Sequence, residues 1–494
     1  MKIKNNNLSK YLSALNNMFF IENEQSRKKN NKIMPIILCI MFISTLLLGI
    51  NNNIAGDDYW WHIKIGEWIV QNKAVPMTGI YSWFGENLNW FAHEWGAEII
   101  LYMFSNIINP NIGGVIYLYT FITILGLLIF YMNKDDFLKN PIIFIFWASF
   151  GAICVRTVGT ARPHIMSVCL FTLLINECYK IENNNTYMGF FKYIPFAIIF
   201  ANIHGGSTPL LYCVPFMFFC AHFFNFKIGR LESKKIEKNW RYLVFALINL
   251  LSIIINPRGL ELLTYPFSYS NEHAQYIQEW QAISLKNAPF IIVLIIFICI
   301  VFFLTNKPNL RFQDMALVGV FMIFSLRSIR FCLWLYIAAS FVVFKYITKS
   351  EKAKEINGLT FIFVITLSIL IRMDIGTSYI STLLPQEAID VLKENHFERL
   401  YNDYNLGSEL IYNDIPVFID GRADMYQNIS FTKSVNGKTN NAKYTSEEFI
   451  DEYNFDGFVL PIQSHLARYL VYHSDMYETI YENDDYCIIK PINN

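Results

Sequence analysis

The chain has 494 residues, of which 54% are apolar, 17% aromatic and only 16% charged, and its formal net charge is zero. An ordinary soluble domain carries about 25% charged residues, so a soluble protein of this length would lack the polar surface to cover itself. A balanced charge gives no long-range field to attract nucleic acid, and that class of partner is set aside.

Residues 1–32 form a polar, basic tail containing Lys2, Lys4, Lys10, Arg27, Lys28, Lys29 and Lys32. The apolar run from Ile33 to Ile50 has no small-residue cleavage site, so it reads as an anchor and not as a removable signal. Further apolar runs lie near 112–132, 141–156, 164–180, 190–203, 208–225, 240–255, 288–305, 314–326, 331–347 and 358–372. Together with 33–51 they predict an α-helical polytopic membrane protein with about eleven transmembrane helices embedded in a lipid bilayer.

Positive charge orients these spans. The segment with Lys227, Arg230, Lys234, Lys235, Lys238 and Arg241, the segment with Lys345, Lys349, Lys352 and Lys354, and the N-terminal tail all fall on the cytoplasmic side. The odd count then places the C-terminal residues outside. Trp95 to Ile108 is short and carries Glu98; as a full crossing it would reverse every later loop, so it reads as an interfacial or re-entrant helix. The membrane domain is thus 33–373, with a large first external loop at 52–111.

The loops that fall outside are 52–111, 157–164, 203–208, 256–287 and 327–330, and they hold nearly all the distinctive polar clusters. Asp57 and Asp58 precede Trp60-Trp61-His62: either acid can serve as a general base, or the cluster is an aromatic belt with solvated acids. His93-Glu94 opens the interfacial helix, as catalytic groups or as an acid favoured at a helix start. Arg162-Pro163-His164 sits on a short turn, and an arginine at membrane depth wants an anion, whether a substrate phosphate or Asp57 or Asp58. His204-Gly205-Gly206 forms another turn, and either a ligand or a tight helix–helix contact accounts for its glycines. Arg258 and Glu279 share a loop too long for a mere connector and can pair with each other. Arg327 and Arg330 flank a turn without a local acid. As a set, these groups suit an anionic, lipid-linked substrate attacked by a hydroxyl acceptor, with arginines on the phosphate and a carboxylate taking the proton.

After Met373 polar residues return, and 380–494 reads as a small extracytoplasmic α/β domain. Helices are predicted at 385–395, 446–453 and 465–472, and strands at 400–401, 417–419, 458–460, 478–481 and 486–490. Asp420-Gly421-Arg422 follows a predicted strand, either touching an acceptor glycan or forming a turn with an internal ion pair. Eight of the nine cysteines sit in apolar runs, and Cys487 has no partner in this region, so neither a disulfide scaffold nor a zinc motif is predicted.

Asp58-x-x-Trp61-His62, Gly66-Glu67-Trp68-Ile69, Pro76, Tyr81-Ser82 and His93-Glu94-Trp95, in that order, resemble bacterial members of the GT-C superfamily of integral membrane glycosyltransferases. Arg162-Pro163, Asn202-x-His204-Gly205-Gly206, Asn256-Pro257-x-Gly259, Glu279-Trp280 and Phe418-Ile419-Asp420-Gly421-Arg422 fit the same branch, so the likeness runs from about residue 34 to the end. The resemblance implies a many-helix membrane domain, a first external loop with a catalytic acid and juxtamembrane helices, and an inverting transfer. By that likeness the expected donor is a polyprenyl-phosphate-linked sugar, and the expected acceptor is a cell-envelope glycan or polymer. It points to Asp58 as the acid or base, with Asp57 next and Glu94 as a third candidate. His62, His93, Arg162, His164, His204, Arg258, Glu279, Arg327 and Arg330 are the candidate substrate-binding residues. Some members use a divalent cation; the carboxylates here are too few to assign metal ligands. The residues alone leave two other readings: a transporter or flippase of a lipid-linked or anionic solute, and a non-catalytic scaffold. Against transport stand the lack of a clear internal two-fold repeat and the scarcity of ionisable residues within the spans.

Cysteines introduced beside Asp58 and beside Arg258 should both react with an impermeant thiol reagent added from outside intact cells. Labelling from opposite sides would dismantle the shared chamber.

Overall fold

The computed structural model describes residues 24–51, 53–54, 58–135, 141–182, 191–229, 231–268, 282, 310–347, 382–426 and 446–492. Helices dominate the first part: α1 Glu24–Leu47, α2 Tyr59–Asn72, α3 Trp95–Ser105, α4 Pro110–Met132, α5 Pro141–Val158, α6 His164–Ile181, α7 Tyr193–Ile203, α8 Pro209–Ala221, α9 Trp240–Ser252, α10 Glu261–Thr264, α11 Phe312–Arg327 and α12 Cys332–Ile347. Their starts follow local chemistry. Asn109 accepts the Ile112 N–H at 2.9 Å, and Pro110 supplies the first helical residue of α4, where a missing N–H costs nothing.

α1, α4 to α9, α11 and α12 fall on nine of the predicted spans, while 288–305 and 358–372 lie outside the described residues. Among the described helices, α4 and α6 are long and apolar enough to cross a membrane by length and composition; the other apolar segments are shorter. The helices bury a common core that includes Phe42, Tyr117, Trp147, Phe171, Trp334 and Tyr336. α2 and α3 approach so closely that a Cβ on Gly66 would overlap the carbonyl of Glu98, which explains a glycine in the middle of α2.

The C-terminal region holds α13 Gln386–Asn395, α14 Gly407–Tyr412, α15 Ser446–Tyr453 and α16 His465–Tyr472. Its sheet has the order β4-β5-β7-β6, built from β4 Leu400–Asn402, β5 Gly457–Pro461, β6 Tyr477–Glu482 and β7 Tyr486–Pro491. β4 and β5 are parallel, whereas β5–β7 and β6–β7 are antiparallel, with Phe458 opposite Ile489 and Val459 opposite Ile488. A second small sheet joins β1 Phe226–Ile228, β2 Leu231–Ser233 and β3 Leu310–Arg311.

One predicted strand is corrected. Residues 417–419 do not enter the four-stranded sheet; Val417 makes an isolated bridge to Ser82. The Asn402 side chain takes the Phe418 N–H at 2.8 Å and donates to the Ile419 carbonyl at 2.8 Å. The first loop takes the rest: Trp83 N–H donates to the Val417 carbonyl at 3.0 Å, and Val417 N–H to the Tyr81 carbonyl at 3.1 Å. With its backbone groups satisfied this way, the segment has no use for a strand ladder.

The second hydrophobic core draws on both ends of the sequence. Trp61, Ile65, Ile69 and Trp90 of the first loop pack with Tyr401, Phe418, Phe449 and Phe458 of the C-terminal region. Ser82 Oγ donates to the Phe418 carbonyl and Trp83 Nε1 to the Leu400 carbonyl, each at 3.0 Å. The joint is locked by an ion pair with both side chains at 0% exposure: Arg422 Nη2 lies 2.7 Å from Asp420 Oδ2. Tyr426 OH donates to the same oxygen at 2.7 Å, Arg422 Nη2 donates to the Ile80 carbonyl at 2.9 Å, and the guanidinium lies 4.7 Å from the Trp90 ring centre. Asp420-Gly421-Arg422 is thus a turn with an internal pair.

Arg422→Met should cost about 3–5 kcal/mol by leaving the Asp420 charge buried without its partner. Thermal unfolding in detergent should show the drop, with the C-terminal region becoming protease-sensitive first.

Candidate active site

Asp58 immediately precedes α2 and is held from two sides. Its Oδ2 lies 2.9 Å from Arg162 Nη2, and Trp61 Nε1 donates to its Oδ1 at 3.1 Å. Arg162 comes from the turn between α5 and α6, so the pair ties that turn to the segment that opens α2. A third element closes over it: a Cβ on Gly421 would overlap Asp58 Oδ1, so only glycine lets the C-terminal turn lie against the carboxylate. The side chains of Asp58 and Arg162 remain 22% and 15% exposed, which leaves the pair open to a ligand.

One turn along α2, His62 joins a deeper cluster around Glu94, the residue preceding α3. His204 Nε2 lies 2.9 Å from Glu94 Oε1, His93 Nε2 lies 3.9 Å from the same oxygen, and His62 Nε2 lies 3.7 Å from Oε2. Burial opposes a charge on Glu94, but the surrounding His93, His204 and His62 outweigh it and hold the carboxyl well below its usual range. One turn into α3, Glu98 Oε1 lies 3.1 Å from His62 Nδ1. Burial, reinforced by the Glu94 charge, pushes Glu98 well above the carboxylate range. Burial drives His62 down to about 3 against the pull of Glu94, so His62 is neutral. Burial also lowers His204, opposed by Glu94.

The cluster continues to the C-terminal region. His93 Nδ1 lies 2.7 Å from the Tyr265 hydroxyl, which donates to Asp424 Oδ2 at 3.0 Å; burial raises the Asp424 carboxyl. The turn after α7 is pinned by the Gly205 N–H, which donates to the His93 carbonyl at 2.7 Å, while Trp95 Nε1 donates to Asn202 Oδ1 at 2.8 Å. Pro76, Phe91, His93, Asn202 and Arg258 line a groove beside it.

The predicted residues are therefore partly gathered. Asp58, Arg162, His62, His93, Glu94 and His204 share one site. Arg330, in the turn Ile329–Phe331, acts electrostatically on His204. Arg258 Nη2 donates to the Met77 carbonyl at 3.0 Å, to Asn89 Oδ1 at 2.6 Å and to the Trp90 carbonyl, so it clamps the first loop. His164 Nε2 donates to the Val158 carbonyl at 2.7 Å, holding the turn before α6. Arg327 ends α11. Asp57 and Glu279 lie outside the described residues. Among the described residues, the two Asp58 oxygens lie against the Arg162 guanidinium and the Trp61 indole N–H. Sequence reasoning missed Tyr265 and Asp424, and it missed what Glu98 does, although a lone acid in an apolar helix was a signal.

The chain matches no family model and no curated protein. Its fold is similar to that of the oligosaccharyltransferase of Archaeoglobus fulgidus. The structure tethered to an acceptor peptide containing the NVT sequon has a TM-score of 0.57 at 12% identity, covering 89% of this chain and 70% of that one. The complex with an inhibitory peptide and a dolichol-phosphate has a TM-score of 0.56 at 11% identity, covering 90% and 71%. The apo form gives 0.53 at 10%, covering 87% and 69%. These likenesses show the fold, an architecture of helices with a C-terminal sheet region.

Glu98 holds its proton in the folded state above the ordinary value of 4.5, where the unfolded chain releases it. Its contribution to stability is therefore lost as pH rises from about 4.5 through the raised value, by at most about 1.4 kcal/mol per pH unit. Glu98→Gln, a neutral isostere, should flatten this part of the melting-temperature profile while keeping the fold.

Proposed function

We propose that this chain is a membrane glycosyltransferase that moves a sugar from a polyprenyl-phosphate-linked donor to a cell-envelope acceptor on the extracytoplasmic side. The observation that carries the reading is the Asp58–Arg162 pair at 2.9 Å, set between two loops and under Gly421 in an oligosaccharyltransferase-like fold. One solved neighbour of that fold holds a dolichol-phosphate, which supports a lipid-phosphate donor.

In the proposed reaction the acceptor hydroxyl oxygen forms a bond to the anomeric carbon as the bond from that carbon to the phosphate oxygen breaks. The attack comes from the face opposite the leaving group, so the anomeric centre inverts. The hydroxyl proton passes to Asp58, whose carboxylate is fixed in direction by Arg162 and Trp61. The electron pair leaves with the polyprenyl phosphate, and the positive charge of Arg162 and Arg330 offsets what gathers there. Glu94 shapes the site, with His204 Nε2 2.9 Å and His93 Nε2 3.9 Å from its Oε1. Burial pushes Glu98 up and His62 down, so both shifts favour the uncharged forms beside the Asp58–Arg162 pair.

Asp58→Asn should lower transfer by roughly 100-fold or more while donor binding persists. Purified protein in nanodiscs, assayed with a labelled polyprenyl-phosphate sugar, separates the two readouts. Unchanged transfer would remove Asp58 from the chemistry.

A further inference from the structure

The nitrogen and oxygen donors of His93, Glu94 and His204 lie within 4.8 Å of one another. Second contacts fix how these side chains are turned. His93 Nδ1 faces the Phe91 carbonyl at 3.3 Å and the Tyr265 hydroxyl at 2.7 Å, and that hydroxyl reaches Asp424 Oδ2 at 3.0 Å. With Nδ1 held on these oxygens, the opposite edge of the ring turns inward, and Nε2 faces Glu94 Oε1 at 3.9 Å.

His204 is prepared in the same way. Its Nδ1 rests on the Ser207 hydroxyl, which can donate or accept and so serves either tautomer, and its Nε2 points at Glu94 Oε1. His62, anchored through Nδ1 to Glu98, faces the other Glu94 oxygen and steadies it. Each imidazole thus has its Nδ1 on an oxygen and its Nε2 turned inward, the arrangement that orients metal-binding histidines.

We propose that His93, Glu94 and His204 bind one divalent transition-metal ion of the zinc class. Two imidazole nitrogens and one carboxylate oxygen suit such ions and not magnesium or calcium, which prefer oxygen alone. With ligand bonds of about 2.1 Å, tetrahedral neighbours stand about 3.4 Å apart. The 3.9 Å His93–Glu94 distance then closes and the 2.9 Å His204–Glu94 distance opens, each by about half an ångström. The ion lies beside the Asp58–Arg162 pair and takes no ligand from it. Its binding is therefore read directly and does not depend on the proposed transfer reaction.

The test uses the full-length chain in detergent, loaded with Co2+ as a visible zinc substitute and then desalted. The native chain should retain one equivalent by elemental analysis and show ligand-field absorption bands. Glu94→Gln and His204→Ala should lose both. Tyr265→Phe and Ser207→Ala, which keep the packing, should weaken Co2+ affinity by roughly 10–100-fold. His164→Gln should bind as the native chain does, since that imidazole holds a backbone carbonyl elsewhere. Melting curves confirm that each variant is folded; if His204→Ala is not, the Tyr265→Phe and Ser207→Ala affinities decide. A native chain that retains no Co2+ after desalting overturns the proposal. So does undiminished affinity in the folded variants.

Discussion

Arg162 reaches out of the turn between α5 and α6 and meets Asp58 at the head of α2, and the remainder of the site is built around that contact. Both groups are partly withdrawn from water, which raises the cost of leaving either one alone. Paired, they fix the direction in which α2 leaves the helical bundle. That direction sets His62 toward Glu94 and Trp61 toward the second core. A guanidinium here satisfies the carboxylate without occupying all the space around it, and an ion pair with residual exposure can still exchange partners with an anionic ligand.

The C-terminal region completes this arrangement. Its Asp420–Arg422 turn is buried with nearly all its polar atoms engaged, and the glycine between the two lies on Asp58. Asp424, a few residues on, reaches Tyr265 and through it His93. The same turn therefore roofs the Asp58–Arg162 pair and buttresses the histidine cluster. Sheet, first loop and helical bundle each contribute groups that would be solvated and disordered if the others were removed.

Much of this was legible in advance where local chemistry decides it. Hydropathy located the helices α1, α4 to α9, α11 and α12, and the short apolar stretch that carries Glu98 forms α3. Periodicity located α13, α15, α16 and the strands of the C-terminal sheet. Long-range satisfaction was not legible. Val417 to Ile419 has the composition of a strand, but the Asn402 amide and the Tyr81 carbonyl claim its backbone groups, and no local pattern announces such partners. Arg258 stands in the sequence as a candidate anion ligand, and its Nη2 reaches Met77, Asn89 and Trp90 of the first loop, contacts that no local pattern announces. Tyr265 and Asp424 carry no motif at all, and only packing gives them a role.

The core shared between the first loop and the C-terminal region also bears on how the chain is made. Trp83 waits for Leu400, a partner 317 positions downstream. At a synthesis rate of about 5–20 residues per second, that is a delay of roughly 15–60 s. Throughout it the aromatic side chains of α2 and of the loop after it have been made but lack the C-terminal half of their core. The nascent chain thus passes through a stage at which Trp61, Trp83 and Trp90 have no such partners. Their burial is completed only when the last quarter of the polypeptide emerges.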